Sequence, residues 1–151
     1  MATVKGVNRT LADTPTGSNI VAPGLMKGKL RVMTDSYEAS AIAAGTVIEV
    51  GDLLPKGVKV VDVMLMGDDL SADVTLAVGD YEDADRYITA TVFTTANQVT
   101  HLNAIDGLFY EVDETYTGKT VGSGTDRQLT ITTAVSACTG TIKVAVLYVQ
   151  E

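Results

Sequence analysis

Residues 55–80, PKGVKVVDVMLMGDDLSADVTLAVGD, decide the fold. The turn signal Pro55-Lys56-Gly57 opens onto an apolar run, Val58 to Met66. Gly67-Asp68-Asp69 ends that run, and Val74, Leu76 and Val78 follow with period two. The pattern predicts two neighbouring strands. In the first, Val61, Val63 and Leu65 point one way. Val58, Val60, Met64 and Met66 point the other, interrupted only by Asp62. A strand apolar on both faces belongs at the centre of a layered β structure.

The C-terminal stretch repeats the signature. In Thr141 to Val149, TIKVAVLYV, Ile142, Val144, Val146 and Tyr148 share a face, and Lys143, Ala145, Leu147 and Val149 share the other. This strand too is expected at the centre. Between and before the two lie shorter strand-like runs: Lys29–Thr34, with Leu30 and Val32 inward and Arg31 outward, then Thr46–Val50, Ile88–Thr94, Leu108–Val112 and Leu129–Thr133. Tyr37–Ala44 reads as a short strand or a helical turn, and Gln98–Leu102 is ambiguous. No segment has a clear helical period and no fixed-period repeat occurs. About eight strands at short, turn-punctuated spacing predict an all-β body over residues 29–151, a β-sandwich or jelly-roll-like barrel. Residues 1–28 hold Pro15, Pro23 and many Thr, Gly, Asn and Ser residues without period, and read as an extended N-terminal arm.

The totals bound the function. A chain of 151 residues suits one domain with a real core, and 46% apolar against 20% charged residues is not a disordered composition. No window reaches the roughly 18 uncharged apolar residues of a membrane helix, so no membrane partner is expected. The N-terminus lacks the apolar core of a signal peptide, which predicts synthesis in the cytosol. That expectation empties the glycosylation match at Asn8-Arg9-Thr10 of meaning. A net charge of −8 argues against nucleic acid as a partner. The charge is uneven: residues 1–31 carry Lys5, Arg9, Lys27, Lys29 and Arg31 against Asp13, a balance of +4, whereas residues 32–151 carry −12. A basic arm on an acidic body can dock on a neighbouring copy, and those five cations are the candidate assembly contacts. The alternative is a solvated tail.

Catalytic and cofactor signals fail one by one. Thr117-Gly118-Lys119-Thr120 lacks the glycine five residues earlier that a phosphate loop needs, since position 113 is Asp. Gly122-Ser123-Gly124 does not continue to a dinucleotide fingerprint, because position 127 is Arg. One histidine, His101, and one cysteine, Cys138, cannot build a zinc site of several such ligands, and no serine sits in a nucleophile elbow. His101 reads as structural, although Asp106 lies nearby, and Cys138 as a small core residue. Asp62, Asp68, Asp69, Asp73, Asp80, Glu82, Asp83 and Asp85 fall within 24 positions. Such oxygens suit calcium, yet Asp83-x-Asp85 is followed by Arg86 and not by the rest of an EF-hand loop. The expectation is turn chemistry and no metal; Asp80, Asp83 and Asp85 are the candidates should a cation bind, and Arg86 offers Asp83 and Asp85 an internal partner. No cofactor and no enzymatic activity are expected.

Four stretches resemble the small head proteins of tailed bacteriophages: Gly28–Tyr37 (GKLRVMTDSY), Leu54–Val63 (LPKGVKVVDV), Val78–Tyr87 (VGDYEDADRY) and Thr139–Tyr148 (TGTIKVAVLY). The resemblance covers most of residues 20–150, and its motifs are structural. It implies a decoration or cement protein on the capsid surface of a virion. The implied partners are the major capsid protein and other copies of the chain, as a homotrimer with arms reaching to neighbours. It brings no catalytic residues. Other readings are a tail or head–tail connector component, and a carbohydrate-binding or hydrolytic accessory module, against which stand the absent Trp and the 5% aromatic content.

Overall fold

Eight strands form two antiparallel four-stranded sheets in a computed structural model that describes residues 28–71, 73–112 and 128–150. They are β1 (Lys29–Ile42), β2 (Val47–Val50), β3 (Lys59–Gly67), β4 (Thr75–Gly79), β5 (Ile88–Val92), β6 (Gln98–His101), β7 (Leu129–Ala134) and β8 (Cys138–Gln150). One sheet has the order β1-β8-β3-β6 and the other β2-β7-β4-β5. Successive strands alternate between sheets at most steps, which is the eight-stranded jelly roll. Among the described residues there is no α-helix; a single 3-10 turn spans Ile105–Gly107. The expected all-β sandwich is the fold. The expected arm, residues 1–28, lies outside the described residues except for Gly28, as do Thr117–Thr120 and Gly122–Gly124.

Both long apolar strands sit inside their sheet, β8 between β1 and β3, and β3 between β8 and β6. The reason differs from the expected one. A β-bulge between Val60 and Asp62 inserts Val61 into β3 opposite β8. The extra residue reverses the side-chain alternation. Val58 and Val60 therefore face inward before the bulge, and Val63 and Leu65 after it, all fully buried. Met64 and Met66 turn to the outer face, where Met66 is exposed. The strand serves one core, not two.

β1 also departs from expectation. Its inward face carries Met33, Tyr37 and Ala39, whereas Leu30 and Val32 point outward, 56% and 58% exposed. The register sets this: Leu30 lies opposite Val149 and Val32 opposite Leu147, both on the outer side of β8. Tyr37–Ala44 resolves mainly as the continuation of β1, with a register shift between Ala39 and Ile42 and Ala41 at a positive φ of 51°. Leu108–Val112 is not a regular strand. Phe109 takes a positive φ of 60°, and the segment pairs with the start of β3 through Phe109 N–H to Val60 O and Val112 N–H to Val58 O.

The core is the space between the sheets. Val60, Val63, Leu65, Ile142 and Val146 meet Leu76, Val78, Leu129, Ile131 and Ile48 there. Phe93 closes one end against Gly67, where any side chain would strike its ring.

Candidate functional site

The acidic loop after β4 is built around Asp80. Gly79 lets the loop fold back closely, since a Cβ there would stand 2.0 Å from the Asp83 carbonyl oxygen. Asp80, whose side chain is fully buried, accepts hydrogen bonds from the amides of Glu82 (2.8 Å) and Asp83 (2.9 Å). Arg86 Nε donates to its other oxygen at 2.5 Å, and Arg86 Nη2 reaches Glu82 at 3.3 Å. The guanidinium lies 4.0 Å over the Tyr110 ring, which meets Tyr87 edge-on. Burial pushes the Asp80 carboxyl above its ordinary value, against the pull of Arg86 and the two amides. Arg86 thus serves Asp80 and Glu82, not the expected Asp83 and Asp85.

Of the three candidate cation ligands, Asp80 is taken up by Arg86 and loop amides. Asp83 and Asp85 lie together: the Asp85 amide donates to Asp83, and hydrogen bonding between the carboxyls pushes Asp85 up. Among the described residues no cluster of three or more His, Cys, Asp or Glu side chains has metal-binding geometry. The arrangement is a turn lock. It ties the loop to Tyr110 through the Arg86 guanidinium.

His101 and Cys138 do not meet. His101 sits on the edge strand β6, with Nδ1 2.9 Å from Asp62 Oδ2. Asp62 also accepts from the Leu102 amide at 3.3 Å. Cys138 is buried at the start of β8, and burial pushes its thiol up. The candidate assembly cations divide: Lys29 and Arg31 are exposed at the start of β1, while Lys5, Arg9 and Lys27 lie outside the described residues.

Alternation alone misses the most distinctive surface. The outer face of the β1-β8-β3-β6 sheet carries Leu30, Val32, Met64, Met66, Leu147 and Val149, flanked by Val99 at 45% exposure. Met64 and Met66, Val99, Ala145, Thr34 and Lys143 line an open groove of about 550 Å³ on it. A second apolar group, Ile105, Leu108 and Phe109, stands out near the 3-10 turn, with Ile105 87% exposed. The outer face was legible in the sequence as apolar residues of β3 and β8. Placing it in the open needed the bulge and the register.

Fold and surface together define a class: a jelly-roll module whose acidic loop is tied internally and whose surface exposes apolar residues on one sheet face and near the 3-10 turn. No protein-family model and no curated protein matches the chain. Solved structures do. One is a chain in the capsid asymmetric unit of cyanophage Pam1, with a TM-score of 0.67 and 26% identity, covering 91% of this chain and 99% of that one. Another is a chain in the capsid of Ralstonia phage GP4, with a TM-score of 0.57 and 21% identity over 82% of this chain and 86% of that one. The second likeness shows the fold alone. Both neighbours are bacteriophage capsid chains, and this chain is related to them in structure.

Proposed function

We propose that the chain is a structural virion protein, a decoration or cement protein that binds the major capsid shell and stabilises it. The observation that carries the reading is its similarity, over nearly the whole of both chains, to a chain of the Pam1 capsid. The surface supports it. Broad apolar areas on a jelly roll whose polar clusters are internally paired favour docking over chemistry. In this reading the chain acts as a homotrimer at local threefold positions of the capsid surface. Residues 1–28 form the assembly arm of a body spanning residues 29–151, and Lys5, Arg9, Lys27, Lys29 and Arg31 meet acidic surfaces of neighbours. The role involves no catalysis and no cofactor.

The test is direct. Purified chain is added to assembled shells that lack it, and bound copies per shell and the shell melting temperature are measured. Saturation at the number of threefold or quasi-threefold positions, with a raised melting temperature, is the expected result. Binding only as a ring at one vertex would replace this reading with a connector. Failure to bind any shell would end it.

A further inference from the structure

β1 borders its sheet, with β8 on one side and no strand among the described residues on the other. The ladder decides which of its backbone groups face that open side. The Asp68 amide donates to the Thr141 carbonyl at 3.0 Å, so Thr141 turns its polar backbone groups toward β3 and Ile142 turns its own toward β1. The register of β1 on β8 is regular from Lys29 opposite Gln150 to Ala39 opposite Gly140. Tyr37, opposite Ile142, and the other odd-numbered residues therefore bond β8, and the even-numbered ones face the open side. Ser36 agrees, because its amide donates to the Asp35 carboxylate at 2.7 Å. Before it, Leu30, Val32 and Thr34 form an uninterrupted row whose amides and carbonyls have no partner among the described residues. Such a row is a template for a further strand. The side chains of Leu30 and Val32 stand along it, 56% and 58% exposed.

The row is complementary to itself. In Lys29–Asp35, KLRVMTD, two cations stand at the start and one carboxylate at the end, all three exposed. The Gly51 and Ser36 amides fix the Asp35 carboxylate and hold its pKa below the ordinary value, and a carboxylate keeps further lone pairs for a cation. Antiparallel pairing with the same row of a second copy, centred on Val32, sets Leu30 opposite Thr34 of that copy and Val32 opposite its own counterpart. Every residue in those pairs turns its polar groups outward, so each pair can exchange hydrogen bonds. The same register sets Lys29 opposite Asp35 of the second copy, with Arg31 on the diagonal, and repeats this at the other end. A shift of one pair toward Ser36 would bring in an amide that is already taken, and a parallel arrangement would set cation beside cation. We propose that the open edge of β1 binds β1 of a second copy, antiparallel about Val32, joining two β1-β8-β3-β6 sheets into one of eight strands. The contact is twofold and self-complementary. It is separate from the threefold trimer of the proposed function and needs no shell.

Disulfide trapping on the free full chain tests the contact. Val32→Cys sets two thiols across the twofold at a Cα separation of about 5.5 Å, within disulfide reach. Val92→Cys, 45% exposed on the other sheet, reports chance collisions, and the native Cys138 is buried. Under mild oxidation Val32→Cys should give cross-linked dimer at least about tenfold faster than Val92→Cys, because pairing raises the effective thiol concentration. Mixing single variants reads the register. Leu30→Cys and Thr34→Cys should cross-link to each other and neither to itself, since like positions lie about 13 Å apart along the paired strands. Adding Val32→Pro to both removes an outward amide that an edge strand can spare, and should slow that trapping about tenfold. Should the proline variant melt early, Lys29→Glu replaces it and should slow trapping at low salt by bringing like charges together. Equal rates at positions 32 and 92 would overturn the proposal, and so would self-trapping of Leu30→Cys. A chain that traps at position 32 but binds no shell ends the cement reading and leaves this contact standing; one that binds shells without trapping does the reverse.

Discussion

Arg86 offsets part of the cost of burying the Asp80 carboxyl. The carboxyl is fully enclosed, and its pKa stands above the ordinary value even with Arg86 and two amides in place. A carboxyl raised in the folded state contributes stability below its unfolded pKa and loses it as pH rises through the folded pKa. Replacing Arg86 by Met removes the main opposing influence and pushes the carboxyl up further, so the buried group must hold an unpaired charge or take up a proton. The expected cost is about 3–5 kcal/mol at neutral pH, from urea melting. It should shrink as pH falls, because protonation of Asp80 removes the charge that Arg86 opposes. A cost that stays constant with pH would mean that Arg86 stabilises the loop by packing on Tyr110 alone. The contrast is His101, whose pair with Asp62 is 58% exposed on the histidine side. His101→Ala should cost less than about 1 kcal/mol and leave shell binding unchanged.

At the scale of elements, most strand positions were legible, and strand faces were legible in β8 but not in β3 or β1. The apolar runs at Val58–Met66 and Thr141–Val149 give the two inner strands of one sheet, as period and length predict. Nothing in the letters around Val61 marks a bulge, because valine is as suited to an extra residue as to a regular one. Inward and outward therefore exchange halfway along β3. In β1 the more apolar set, Leu30 and Val32, looks like the core face, but register with β8 assigns that role to Met33 and Tyr37. Leu108–Val112 has strand composition, and the positive φ at Phe109 breaks it. The acidic loop was legible as turn chemistry, while Arg86's choice of Asp80 depended on the close return allowed at Gly79. A pair of substitutions tests the bulge. Val63→Asp buries an unpaired charge and should cost several kcal/mol, on the order of 3–5. Val60→Asp, before the bulge, should cost as much, because the extra residue turns both valines into the core. A much smaller loss at either position in thermal or urea melting would put the two on opposite faces and remove the bulge.

For the whole molecule, the decisive asymmetry is electrostatic. Five cations before residue 32 leave a body of −12 behind them, and among the described residues Lys29 and Arg31 are exposed at the root of β1. Backbone ordering costs roughly 1–2 kcal/mol per residue, so the far part of an assembly arm orders only where a partner compensates. In the proposed reading, acidic surfaces of neighbouring bodies would provide that compensation through Lys5 and Arg9. Reversing both, Lys5→Glu with Arg9→Glu, should weaken shell binding about tenfold or more at low salt. The deficit should narrow by 0.5 M salt, where charges more than about 4–5 Å apart are screened. The apolar contacts respond differently: Ile105→Ser with Phe109→Ser should weaken binding by a factor nearly independent of salt, because burial of apolar surface does not depend on charge. Measuring both variants across the same salt series separates the two contributions. If the charge-reversed arm binds like the unaltered chain at every ionic strength, the shell contacts lie on the β body, and the basic arm is a solvated tail.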